Sequence, residues 1–260
     1  MRRTSRWLSV AMVLGLGLVA RATDWATLAK QAQARYAKMQ AEVGDMYIEQ
    51  EMENVTPQGS MKSQVKVFTK GEKVRVEMDM GLPGGVPAGM GSMQMVVIGD
   101  GKDYWLISPM LGTQKVPPAE GEKYRGEWQW WDRLTTEAQV VGEEKLSGRN
   151  CYLVQGKPKE GFAFSKLWID KETFILVKGE GKSNGTPMSM VSSDFRPVRG
   201  QFHIPFRTEV YADGKLVSTI RVTSVKVNAA VADELFNPKK VKAKGPSMEE
   251  MMKMMQQQPR

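Results

Sequence analysis

Cysteine and histidine are almost missing from this 260-residue chain, where Cys151 and His203 each stand alone. A single cysteine forms no internal disulfide, so the fold rests on its core. One histidine and one cysteine are too few ligands for a zinc centre and supply no histidine-based relay for hydrolysis. His203, in the alternating run Phe202-His203-Ile204-Pro205, reads as a strand residue at a sheet edge. No catalytic residue, cofactor or metal site is expected. The glycines at 81, 84, 85, 89 and 91 have the wrong spacing for a phosphate loop and no following Lys-Ser/Thr. Dense Lys/Arg blocks with interleaved aromatics are absent too, which argues against a nucleic-acid partner.

Long apolar runs are equally scarce. Leu8 to Val19 falls short of the ~20 residues a membrane-spanning helix needs. With Arg2, Arg3 and Arg6 before it and Ala20-Arg21-Ala22 after it, residues 1–22 read as a signal peptide cleaved before Thr23, and the expected location is the periplasm. No cysteine follows the run, so lipid attachment is not expected. Loss of the segment removes four arginines and no acid, lowering the net charge from +8 to +4.

What the chain does have is alternation. Residues 24–43 carry a helical stripe of Trp25, Leu28, Ala32, Tyr36, Met39 and Val43. From Met46 the period becomes two: Val74, Val76, Met78 and Met80 alternate with Lys73, Arg75, Glu77 and Asp79, giving a strand with one dry and one wet face. Ten or eleven strands are predicted, near 46–54, 60–69, 73–80, 93–99, 102–108, 137–146, 149–157, 163–170, 173–182, 187–196 and 202–228, the last a long hairpin turning at Asp213-Gly214. Asp100-Gly101, Asn184-Gly185, Gly71, Gly148 and Gly200 mark further reversals. Strands joined by tight turns are antiparallel neighbours, and no run of helices intervenes to build a parallel sheet.

Three segments break the meander: a Gly/Pro-rich loop at 81–92, a helix-compatible stretch at 124–134 bearing Trp128, Trp130 and Trp131, and a Met-rich tail at 242–260. One domain is expected over 23–241. Nineteen methionines allow two readings, a Cu(I) site in the tail or an adaptable apolar lining.

Leu167-Trp168-Ile169-Asp170 before a turn, Asp194-Phe195-Arg196 before Gly200, Ile204-Pro205, Val227-Asn228 and Leu235-Phe236-Asn237-Pro238 together resemble the LolA/LolB-like superfamily, in its outer-membrane lipoprotein-sorting branch. The resemblance implies a mainly β fold: a strongly curved antiparallel sheet forming an open half-barrel, lidded by helices. It also implies non-catalytic carriage of lipid or acylated lipoprotein between membranes, through transient contact with a membrane-protein donor or acceptor. It assigns no arginine here to that family's lid-locking role.

The residues lead to the same shape independently, because a ten-stranded sheet with one dry face must curl around its few helices. Expected cavity and lid residues are Val65, Val67, Val74, Val76, Met78, Met95 and Val97 on dry strand faces, with Tyr36, Met39, Trp128 and Trp131 above them. A monomer is expected. An envelope sensor that binds a protein partner through the same fold stays open as an alternative, as does Met-based copper binding.

Overall fold

A computed structural model describes residues 23–57, 59–81, 92–121, 127–200 and 202–256. The expected signal segment 1–22, most of the loop at 81–92 and the Trp128 side chain fall outside the described residues.

Helix α1 (Trp25–Glu42) starts where Asp24 accepts from Thr27 N at 2.9 Å, an N-cap that satisfies an otherwise orphaned donor. The chain then builds β1 (Asp45–Thr56), β2 (Gly59–Lys70), β3 (Lys73–Gly81), β4 (Ser92–Gly99), β5 (Tyr104–Ser108) and β6 (Gly112–Val116). A short helix, α2 (Pro118–Gly121), and a 3-10 turn (Glu127–Asp132) follow. After them come β7 (Gln139–Leu146), β8 (Arg149–Gln155), β9 (Phe164–Asp170), β10 (Leu176–Ser183), β11 (Thr186–Arg199), β12 (Phe202–Ala212) and β13 (Lys215–Val227). Two further 3-10 turns, Asp233–Phe236 and Pro238–Lys240, precede α3 (Met248–Gln256).

All thirteen described strands form one antiparallel sheet in the order β6-β5-β4-β3-β2-β1-β13-β12-β11-β10-β9-β8-β7. Its edges, β6 and β7, do not pair, so the sheet is an open half-barrel. Type I′-like hairpin chemistry sets the turns: Ser147-Gly148, Asn184-Gly185 and Asp213-Gly214 all have both residues at positive φ. The strand missing from the sequence reading is β6, a mostly exposed edge whose residues GTQKV carry no apolar alternation.

One neighbour relation is not sequential: β1 pairs with β13 from Met46↔Val227 to Asn54↔Ser218. This pairing puts the two ends of the sheet-forming chain at its centre, so the link from β6 to β7 must connect the two edges. That link carries Trp130 and Trp131 and forms the lid together with α1.

The wet face expected of β3 is in part covered. After β13 the chain folds over the outer side of β2 to β5, where Val231, Leu235, Phe236, Val241 and Ala243 meet Phe68, Val96, Ile98, Trp105 and Ile107. Arg75 donates to Leu235 O at 2.8 Å and to Glu77 at 2.7 Å, so both charges are satisfied under the strap. Burial on two faces explains why β4 reads as an unbroken apolar run, Met95-Val96-Val97-Ile98.

Candidate functional site

The concave side holds two large packed clusters, with a smaller one of Val43, Met46 and Ile48 under the C-terminal end of α1 and open space between them. Toward β7 to β11, Leu28 and Ala32 of α1 pack with Trp130, Trp131, Leu134, Val154, Phe164, Leu167, Ile169, Leu176 and Met190. Toward β6, Val65, Val74, Val76, Met78, Val97 and Tyr104 form the second cluster. Between them, under α1 and above β1, β13 and β12, lies a cavity of about 700 Å³.

Three strands supply the floor through period-two alternation: Met46, Ile48, Gln50 and Met52 from β1, Ile220 and Val222 from β13, and Ile204, Thr208 and Val210 from β12. Val65, Val67, Val76 and Met78 make one wall, and Met190, Ser192 and Phe174 to Leu176 make the opposite one. The roof is Ala32, Tyr36 and Met39 of α1 with Trp130 and Trp131. Arg35, Lys38 and Glu42 stand on the same helix opposite the β11–β12 turn at Gly200, Phe202 and His203. Lys38 and Glu42 are exposed, which marks this end as the mouth. The lining is thus apolar except for a polar floor patch and a charged rim.

Aromatic contacts hold the roof. Trp25 and Trp130 rings lie 5.9 Å apart, Trp130 and Trp131 5.5 Å, and Tyr36 and Trp131 5.5 Å, the last two edge-on. Below Trp130, the β9–β10 turn is built on Asp170, which accepts from Glu172 N, Thr173 N, Thr173 Oγ1 and Arg149 at 2.7 to 3.0 Å. Burial works against the Asp170 charge, but the Thr173 N–H and the Arg149 guanidinium outweigh it and hold the pKa below the usual carboxylate range.

Of the expected cavity and lid residues, Tyr36, Met39, Val65, Val67, Val76, Met78 and Trp131 border this cavity. Val74, Met95 and Val97 lie away from that lining. They pack beside Tyr104, Leu106 and Val116, where the approach to the β6 edge closes the trough, and Val74 borders a separate space of about 80 Å³. The floor of β1, β12 and β13 was not legible as such, because only the β1–β13 pairing shows which strands take the middle. His203 is not at a sheet edge: β12 lies between β13 and β11, and His203 borders the mouth.

Cys151 is fully buried, and burial pushes its thiol up to about 11, which disfavours the thiolate at neutral pH. Among the described residues no three His, Cys, Asp or Glu side chains gather as a metal site would require, and no helix is long and apolar enough to cross a membrane.

An unclosed antiparallel half-barrel lidded by helices is the LolA/LolB-like fold. Among solved structures the chain is similar to a DUF1329 family protein from Desulfovibrio piger, with 15% identity over 82% of this chain and 95% of the other and a TM-score of 0.62. It is also similar to a domain named as an outer membrane lipoprotein-sorting protein from Vibrio parahaemolyticus, with 13% identity over 81% and 98% of the two chains and a TM-score of 0.59. At such identities the likeness is one of fold. A family model described only as an uncharacterized protein matches residues 132–243, from the end of the lid to the outer strap. No curated protein matches the sequence.

Proposed function

We propose that this protein is a non-catalytic carrier of the bacterial periplasm that takes the acyl chains of a lipid or lipoprotein into the trough and moves them between membranes. The carrying observation is the roofed apolar cavity of about 700 Å³, within the ~300–1,000 Å³ typical of ligand sites. Apolar clusters of the same sheet flank it on either side.

The physical role of such a space is to replace the membrane interior. Exposing a sixteen-carbon chain to water costs on the order of 13 kcal/mol at ~0.8 kcal/mol per methylene. An apolar cavity cancels most of that cost, so small affinity differences at donor and acceptor set the direction of transfer. The charged rim of Arg35, Lys38 and Glu42 suits the polar end of such a guest, held at the mouth while its tail lies on the floor strands. The name carried by the Vibrio parahaemolyticus domain supports the same reading.

Titration of the purified protein with a fluorescent fatty acid tests this. Saturable binding, with emission shifted as in an apolar medium and competed by unlabelled lipid, is expected. Absence of saturable uptake across acyl lengths would count against a carrier.

A further inference from the structure

The C-terminal segment takes no part in the cavity wall, yet it carries a dense set of exposed features. Val241 and Ala243 pack on the outer side of β4 and β5, so the residues alternating with them, Lys242 and Lys244, face solvent. The position is fixed by the main chain: Gln94 N donates to Lys244 O at 2.8 Å, and Lys244 N donates to Gln94 Oε1 at 3.3 Å. Lys239 and Lys240 are exposed just before them, with Glu234 reaching Lys240 at 3.3 Å.

Helix α3 follows at once. Ser247 N donates to Glu250 Oε2 at 2.7 Å and Glu250 N donates to Ser247 Oγ at 3.3 Å, a reciprocal cap that starts the helix from local sequence alone. Lys253 and Glu249 pair along the helix at 2.6 Å. Met248 and Met252, one turn apart, are 43% and 50% exposed.

We propose that residues 239–256 dock the protein on an anionic lipid bilayer, with the lysines at phosphate level and α3 lying in the interface on its methionine side. Charge complementarity selects this occupant, because clustered cations beside an amphipathic helix bind acidic headgroups and the acyl boundary together, each compensating for the weakness of the other. Methionine side chains are flexible and polarisable, so they adapt to a fluid, irregular apolar surface. Docking through this segment is independent of whether the cavity takes a guest.

Co-sedimentation with vesicles of phosphatidylcholine alone, or of phosphatidylcholine with phosphatidylglycerol, tests the inference. The purified protein should pellet with the phosphatidylglycerol vesicles and stay in solution with the neutral ones. Replacing Lys239, Lys240, Lys242 and Lys244 by glutamine should lower that partition at least tenfold, since each lysine near an anionic surface is worth roughly fivefold. The pair Met248→Ser and Met252→Ser should lower it several-fold with the melting temperature unchanged. No pelleting, equal pelleting with both vesicle types, or variants that pellet like the parent would overturn the proposal.

Discussion

The indole N–H of Trp130 donates to the main-chain carbonyl of Phe174 at 2.8 Å, tying the lid to the turn between β9 and β10. Phe174 has φ of 57°, a left-handed conformation that costs a bulky residue energy and persists only where its surroundings fix it. The Asp170 turn holds it from one side and Trp130 from the other. Trp130→Phe keeps most of the ring packing and leaves the part-buried carbonyl without its donor, so a loss of about 1 kcal/mol is expected in denaturant unfolding. Amide exchange should quicken at 127–134 and 171–176 and not on β1 or β13.

A second prediction concerns the empty space itself. Val222 lies on the floor under α1, so a larger side chain there has somewhere to go. Overpacking a filled core costs about 1–3 kcal/mol. Val222 packs on Met46 and Ile48 but has the cavity to extend into, so Val222→Phe should cost less than that range, while weakening fatty-acid uptake at least tenfold. A large loss of stability with uptake intact would mean that the floor is packed in solution.

Acid should loosen the Asp170 turn. Its folded pKa is depressed, so its contribution is complete above the ordinary carboxylate value near pH ~4 and is lost as pH falls through the lower folded value. Asp170→Ala removes a buried partner of Arg149 and should cost about 3 kcal/mol at neutral pH. The difference in stability between wild type and Asp170→Asn should be constant above pH ~5 and shrink below pH ~4, measured by urea titration.

At the junction of helix and sheet, Asn228 has φ of 52°, accepts from Gly44 N at 2.8 Å and donates to Glu42 O at 3.2 Å. Asn228→Gly keeps the backbone freedom and loses both hydrogen bonds; Asn228→Ala loses both and adds strain. The alanine variant should be the less stable of the two by about 1 kcal/mol in thermal unfolding.

These contacts also explain how much of the molecule the sequence discloses. The motifs behind the family resemblance are scaffold: Asp170 nucleates a turn, Asn228 joins β13 to α1, and Leu235 and Phe236 fasten the strap to the outer sheet. They specify the half-barrel, and so the curved, lidded sheet is legible in local chemistry. The cavity depends on long-range facts that local patterns do not encode. Val74 and Val76 share one dry face of one strand, yet only Val76 borders the large cavity, because Tyr104 and its neighbours close the trough beside Val74. Arg75 and Glu77 read as solvent-facing and are covered by a strap that arrives about 160 residues later. Guest identity is less legible still, since an apolar lining accepts hydrocarbon without naming it.

Native mass spectrometry of the protein isolated from a bacterial periplasm is the most direct test of a carrier. A bound population heavier than the chain by the mass of an acyl lipid is expected, released by organic extraction and diminished in Val222→Phe. A single unliganded mass, unchanged after incubation with membrane lipids, would contradict it.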